Sequence, residues 1–361
     1  MSPVTPSARI PTIELRPGYE IPRLIQGGWQ LSEGHRPEDP EPDPDAALAA
    51  MERIADAGLT VFDGADIYTG VEALYGRFRE RYLASRPDAE LRFHTKCVPD
   101  LDLLPHLQAS DLRHGIARSL SRLGMDSLDL VQFHWWDFEI DGWLEALRHL
   151  DDLRRDGKIR HLALTNFDTG RLAVVLDAGI EITAHQIQYS LLDRRPERSM
   201  VELCRRHDVH LLCYGTLAGG FLSERWLGRP APSGDLENRS LVKYRLMIDE
   251  LGGWDVFQAL LAELQGIGRR HGASVANVAT AWVLDRPQVA AAIVGFRDDR
   301  HLQDNLRTLN LRLDIEDHAR LDRFLARHPG AAGDVYSVER EPGGRHAVIM
   351  KTGLNQDSAE S

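Results

Sequence analysis

Eight short apolar runs, each followed by a stretch of helical periodicity, limit what this chain can fold into more than any other feature. The runs fall at residues 24–27, 60–62, 91–97, 128–134, 159–165, 184–190, 209–215 and 289–295. Between them apolar residues recur three or four apart. Leu48, Met51, Ile54 and Ala55 form one such face; Leu74, Phe78 and Tyr82 form the next. Leu112, Ile116, Leu120 and Leu123 follow, then Leu144, Leu147, Leu150 and Leu153. Gly58 and Gly157 stand where C-terminal helix caps belong. Further helices are expected near 170–178, 196–207, 255–270 and 275–285. Strands that are apolar throughout and separated by helices are buried on both faces, the pattern of a parallel sheet. Eight such units give an α/β fold, the (β/α)8 TIM barrel. "TIELRPGYEIPRL" (residues 12–24) reads as an N-terminal β-hairpin plugging the barrel bottom. A doubly wound sheet ranks second, because no G-x-G-x-x-G turn follows the first run.

No boundary-like linker interrupts the pattern, so residues 1–361 are expected to form one domain, with the barrel over about 10–327. Two stretches break the regularity. Residues 223–254, with "GRPAPSGD", are too long for an ordinary strand–helix loop and read as functional or mobile. Residues 330–361 lack a helical period and end in a polar tail. Both are expected to reach over the barrel mouth. The opening "MSPVTPSARIP" lacks the apolar core of a signal peptide and reads as a short disordered lead.

A formal charge of -12 and a pI near 5.7 argue against nucleic acid or an acidic membrane surface as partner. The longest apolar candidate, residues 211–222, is broken by three glycines and falls short of the ~18 residues a membrane span needs. Cys97, Cys204 and Cys213 are scattered and odd in number, which fits a reducing, cytoplasmic setting without a disulfide framework. The 15 histidines include no H-x-H or H-E-x-x-H pair, so a metal-dependent barrel hydrolase is a weak alternative and no metal is expected.

Barrel enzymes keep their chemistry at the C-terminal strand ends. Here those ends carry Asp63 with Tyr68 beyond it, Lys96, His134, Thr165 with Asn166, Gln186 and Tyr214. A lysine at the mouth of a packed barrel needs a carboxylate partner, and Asp63 on the neighbouring strand is placed to supply it. Taken singly, Asp63 and Lys96 read equally as a structural ion pair, His134 as a core histidine and Tyr68 as a packing tyrosine. Four titratable groups converging from adjacent strands favour a reactive site.

The ordered segments that carry these residues resemble the aldo-keto reductases over roughly residues 10–327. "VFDGADIYTGVE" is similar to that family's Asp-(Thr/Cys)-Ala-x-x-Tyr segment at Asp63, Ala65 and Tyr68. "HTKC" supplies Lys96 and "DLVQFHW" supplies His134; "GKIRHLALTNF", "HQIQYSLLDR" and "CYGTLAGGFL" are similar to later family motifs. The resemblance implies NAD(P)H-dependent reduction of an aldehyde, ketone or sugar carbonyl, with Tyr68 as general acid. A free tyrosine has a pKa of about 10, and lowering it by ~2–3 units is worth about 3–4 kcal/mol. Lys96 would favour the phenolate, Asp63 would hold the lysine, and His134 would hydrogen-bond the carbonyl oxygen.

By the same resemblance Thr165, Asn166 and Gln186 would bind the nicotinamide carboxamide and Tyr214 would stack on the ring. Gly28, Leu217 and Gly219 would line the cofactor as well. The adenosine end falls in "VGFRDDRHLQDN" (residues 294–305), with Arg297, Asp304 and Asn305. Gly295, Phe296 and His301 depart from the lysine, serine and arginine common there. NADPH is the expected cofactor because Arg297 is present, and these departures leave NADH possible. Trp29 and Trp135 are expected to wall the substrate pocket. The alternative is a cofactor-binding regulatory subunit of the same fold.

Overall fold

A computed structural model describes residues 10–33, 43–234, 236–350 and 352. Residues 1–9 of the expected N-terminal lead and residues 353–361 of the polar tail lie outside the described residues.

The N-terminal strands β1 (Thr12–Arg16) and β2 (Tyr19–Pro22) pair antiparallel around Gly18, whose φ of 78° suits glycine. Eight parallel strands follow: β3 (Leu24–Gly27), β4 (Val61–Asp63), β5 (Arg92–Cys97), β6 (Leu128–Phe133), β7 (Ile159–Thr165), β8 (Ala184–Gln188), β9 (His210–Tyr214) and β10 (Val289–Gly295). They close in sequence order, with β10 pairing to β3 in the register Ala292↔Leu24. Strands and helices alternate as the apolar runs predict.

Alternation along each strand makes two cores. Side chains turned inward, among them Ile25, Val61, Leu130, Leu212 and Ile293, meet inside the barrel. Leu15, Tyr19 and Ile21 of the hairpin join them, so the hairpin closes the lower end. The Tyr19 hydroxyl lies 2.9 Å from His94 Nε2, which satisfies a polar pair inside that plug. Side chains turned outward, such as Phe62, Val131, Phe133 and Leu164, pack under the helices.

The helices end where local chemistry stops them. The helix Ala109–Leu123 buries Leu112, Ile116 and Leu123 and finishes at Gly124, whose φ of 62° is left-handed. Ser274 and Asn277 form a capping box that opens the helix Val275–Leu284. Among the described residues no helix is long and apolar enough to cross a membrane.

One expectation is corrected. The stretch 223–254 contains a 13-residue helix, Arg239–Leu251, opened by the Asn238 side chain, which accepts from the Leu241 amide at 3.0 Å. Met247, Ile248 and Leu251 bury one face of it. The proline- and glycine-rich approach masks a helical period that starts only after residue 238. Residues 331–350, by contrast, are turns with one 3-10 turn at Ala347–Ile349.

Candidate active site

The barrel mouth holds a cavity of about 770 Å³, the size of a small-molecule or cofactor pocket. Asp63, Tyr68, Lys96 and His134 all line it. The Lys96 ammonium is 2.6 Å from Asp63 Oδ2 and donates to the Gly64 carbonyl at 2.7 Å. The side chains of Lys96 and Asp63 are 7% and 4% exposed, so each buried charge is compensated chiefly by the other. Asp63 Oδ1 accepts from Gln132 Nε2 at 2.7 Å and from Gln186 Nε2 at 2.9 Å. Gln132 was not expected. It lies two residues before His134 on β6, and the strand period of two already puts both on the inner face.

The Lys96 ammonium sits 5.0 Å from the centre of the Tyr68 ring. Burial pushes the Tyr68 hydroxyl above the ordinary tyrosine value, and Lys96 only partly offsets this, so the phenol keeps its proton at neutral pH. That reverses the expected net direction. Burial likewise works against the Lys96 charge, but Asp63 and Tyr68 outweigh it and the net shift is upward. His134 is held down to about 3 by burial, with Arg340, Lys243 and Lys96 adding to the effect. Its Nδ1 is 3.2 Å from the Thr165 carbonyl, which can only accept. The neutral ring therefore carries its proton on Nδ1 and a lone pair on Nε2.

The residues expected to hold a cofactor divide. Thr165, Asn166, Gln186, Tyr214, Leu217, Gly219, Arg297 and Asn305 line the cavity. The Tyr214 hydroxyl donates to Asn166 Oδ1 at 2.9 Å, and Asn166 holds a left-handed φ of 59°. Gly28 and Asp304 are not among the lining residues. A Cβ on Gly28 would meet Tyr75 Oη at 2.2 Å, so this glycine serves the packing of the helix Val71–Ser85. Asp304 accepts from Ser274 Oγ at 3.1 Å, and its carbonyl accepts from Asn277 Nδ2 at 2.9 Å, which ties two outer helices together.

The tryptophans divide too. Trp29 lines the cavity with its ring 4.9 Å from Tyr68, and its indole N–H donates to Ser240 at 3.1 Å. Trp135 is fully buried outside the cavity; its N–H donates to Asp137 O at 2.9 Å and Ile140 O at 3.1 Å. The wall position belongs to Trp136, set edge-on to His134 at 4.5 Å between ring centres. The strand alternation continues past β6, so residues 134 and 136 face in and 135 faces out.

The irregular stretches also contribute to the lining, Lys243 and Tyr336 among them. Lys243, on the helix Arg239–Leu251, lies 3.4 Å from Tyr214 Oη and 3.5 Å from Glu339. Tyr336 has its ring centre 5.9 Å from that of His134. No local pattern marks either one.

Asp66 is buried beside the site and accepts from the Val98 amide at 3.0 Å. Burial raises its carboxyl to about 7; the Val98 amide opposes the rise and Glu72 adds to it. The folded protein thus holds a proton that the unfolded chain releases above about pH 4. This stabilisation is complete below pH 4 and is lost as pH rises through 7; across that window the linkage is worth ~4 kcal/mol. Asp66→Asn is expected to raise the denaturant midpoint relative to the native protein at pH 8 and to do so much less at pH 5. An identical difference at both pH values would remove Asp66 as the titrating group.

The family model described as the aldo/keto reductase family matches residues 23–326. The chain belongs to this family. It is 27% identical over 297 residues to flagellar radial spoke protein 5 of Chlamydomonas reinhardtii, a match covering 66% of this chain and 56% of that protein. It is 27% identical over 222 residues to an NADH-specific methylglyoxal reductase of Escherichia coli, covering 61% and 66%. The chain thus spans somewhat less than two thirds of these two relatives. Among solved structures, a thermostable aldo-keto reductase crystallised with the inhibitor epalrestat is similar at a TM-score of 0.68 and 26% identity, covering 87% of this chain and 100% of that one. A glycerol dehydrogenase from Gluconobacter oxydans shares the fold, with a TM-score of 0.71 at 24% identity and coverage of 91% and 98%.

Proposed function

We propose that this family member catalyses NAD(P)H-dependent reduction of an aldehyde, ketone or sugar carbonyl to the alcohol, or the reverse, with Tyr68 as the proton donor. The carrying observation is the convergence of a protonated phenol, a buried Lys96–Asp63 pair and a neutral His134 in one cavity. The cavity fits the cofactor at its other parts. Asn166 and Gln186 supply amides for a carboxamide, Tyr214 supplies a ring face, and Gly215, Gly219 and Gly220 supply a turn with little side-chain bulk. The bound nicotinamide would supply the hydride.

The chain's own work is proton transfer and electrostatics. Tyr68 gives its proton to the oxygen as negative charge develops there, and Lys96 stabilises the phenolate that remains. Asp63, Gln132 and Gln186 keep Lys96 aimed at the tyrosine. His134 takes a different part from the one expected. With Nδ1 committed to Thr165, Nε2 can only accept, so His134 receives the O–H of the alcohol or of a hydroxyl beside the carbonyl.

For the adenosine end we propose NADPH, with Arg297 as the cation for its 2′-phosphate. Gln30 occupies the ground that a lysine at position 295 would need, since a Cβ on Gly295 would meet its Nε2 at 3.0 Å. Asp298 and Asp299 favour NADH as the second reading. They border the same end, paired with Arg300 at 2.6 Å and with Arg53 at 2.9 Å. One charge-assisted contact is worth about 1.5–3 kcal/mol, so Arg297→Ala is expected to weaken NADPH roughly ten- to hundredfold and to leave NADH nearly unchanged. Equal losses in titrations of both would mean that Arg297 reads the shared part of the cofactor. The activity itself is tested by a panel of aldehydes, ketones and sugars with each cofactor, read by nicotinamide absorbance. No turnover across the panel would return the cofactor-binding subunit.

A further inference from the structure

We infer that Arg340, in the turn-rich C-terminal segment, is a positioning residue for the reaction: one guanidinium fixes the spacing between the loop that carries His134 and the loop that carries Asn166. The inference rests on the proposed role of this cavity. Arg340 Nη2 donates to Trp135 O at 2.7 Å and Nε donates to Trp136 O at 3.1 Å, the two residues directly after His134. Nη1 donates to Asn166 O at 2.8 Å, across to the end of β7. The guanidinium carbon lies 4.5 Å from the Phe138 ring centre and 4.8 Å from that of Tyr336, so aromatic faces hold its plane while carbonyls take its protons.

Both loops need such a tie. His134 is oriented by its hydrogen bond to the Thr165 carbonyl, and that bond spans the gap Arg340 bridges one residue further on each side. Asn166 sits in a left-handed conformation that a non-glycine residue holds only when its surroundings enforce it. Its side-chain oxygen in turn accepts a hydrogen bond from the Tyr214 hydroxyl. Arg340 is not among the cavity-lining residues, so it acts through these neighbours. Its charge also reaches the site: after burial, Arg340 is the largest influence keeping His134 neutral, ahead of Lys243 and Lys96.

Lysine keeps the charge but cannot present a planar fork to three carbonyls. In the full chain, Arg340→Lys is expected to stay folded, with kcat reduced on the order of a hundredfold, the size of loss an ångström-scale misplacement causes. Arg340→Ala should lose at least as much, and millimolar guanidinium should restore part of its kcat while leaving the native protein unaffected. A Lys variant within threefold of native kcat would overturn the inference, as would an Ala variant that folds but shows no guanidinium rescue. A second readout needs no turnover. Followed by NMR in the cofactor-free protein, the His134 ring should titrate at higher pH in Arg340→Ala and move back when guanidinium is added. An unchanged midpoint would overturn the inference even if the native protein reduces no carbonyl, the outcome that would separately overturn the proposed activity.

Discussion

Tyr68→Phe is expected to lower carbonyl reduction by roughly 10²–10⁴-fold, the range typical of losing a positioned acid, while cofactor affinity stays nearly unchanged. The ring remains to pack against Trp29, and only the hydroxyl beside Lys96 is lost. The pH profile sharpens the expectation. Burial holds the Tyr68 proton beyond the ordinary tyrosine range, so reduction should stay flat through neutral and mildly alkaline pH. The reverse oxidation needs the phenolate and should quicken as pH rises. Steady-state kinetics in both directions, with cofactor binding followed by fluorescence, check both points. A mutant within tenfold of native turnover would sink the mechanism, because a donor other than Tyr68 would then have to supply the proton.

The second large effect is on stability. Lys96→Met removes the cation from an almost fully buried carboxylate while keeping similar bulk. Breaking a buried pair in this way costs about 3–5 kcal/mol, chiefly because the remaining charge is stranded. Gln132 and Gln186 still donate to Asp63, so the loss should fall toward the lower end of that range. Adding Asp63→Asn to the same chain should recover much of the stability and none of the activity. Denaturant unfolding of the two single variants and the double variant measures the coupling. A single-mutant loss below about 1 kcal/mol would show that the pair does not carry the weight its burial implies.

Much of this molecule is written locally. Apolar runs of strand length, repeated between helical periods, leave few folds besides a closed parallel barrel, because each strand must be covered on both faces. The same runs mark the strand ends, and so bring Asp63, Lys96, His134 and Gln186 to one rim before any contact is known. Alternation would also have separated the two tryptophans: His134 faces inward, so Trp136 does and Trp135 does not. Gln132 was legible by the same step. The helix Arg239–Leu251 was legible only in part, since its period begins after a run of turn-forming residues.

Other features depend on which distant segments meet, and no short-range period encodes that. Whether a glycine serves a cofactor or a helix depends on what stands opposite; for Gly28 that is Tyr75. Asp304 belongs to helix packing because Ser274 and Asn277 come up against it. Arg195 and Glu339 pair at 2.9 Å across 144 residues, and Arg340 reaches Asn166 across 174. Burial decided the titration states, leaving Tyr68 protonated and His134 neutral, because desolvation depends on the whole surrounding shell. The sequence by itself determined the barrel and the rim on which its reactive side chains stand, since strand period and strand order are local properties. The tertiary structure alone decided which loops close over that rim and what charge each group carries there, since both depend on contacts between segments far apart in the chain.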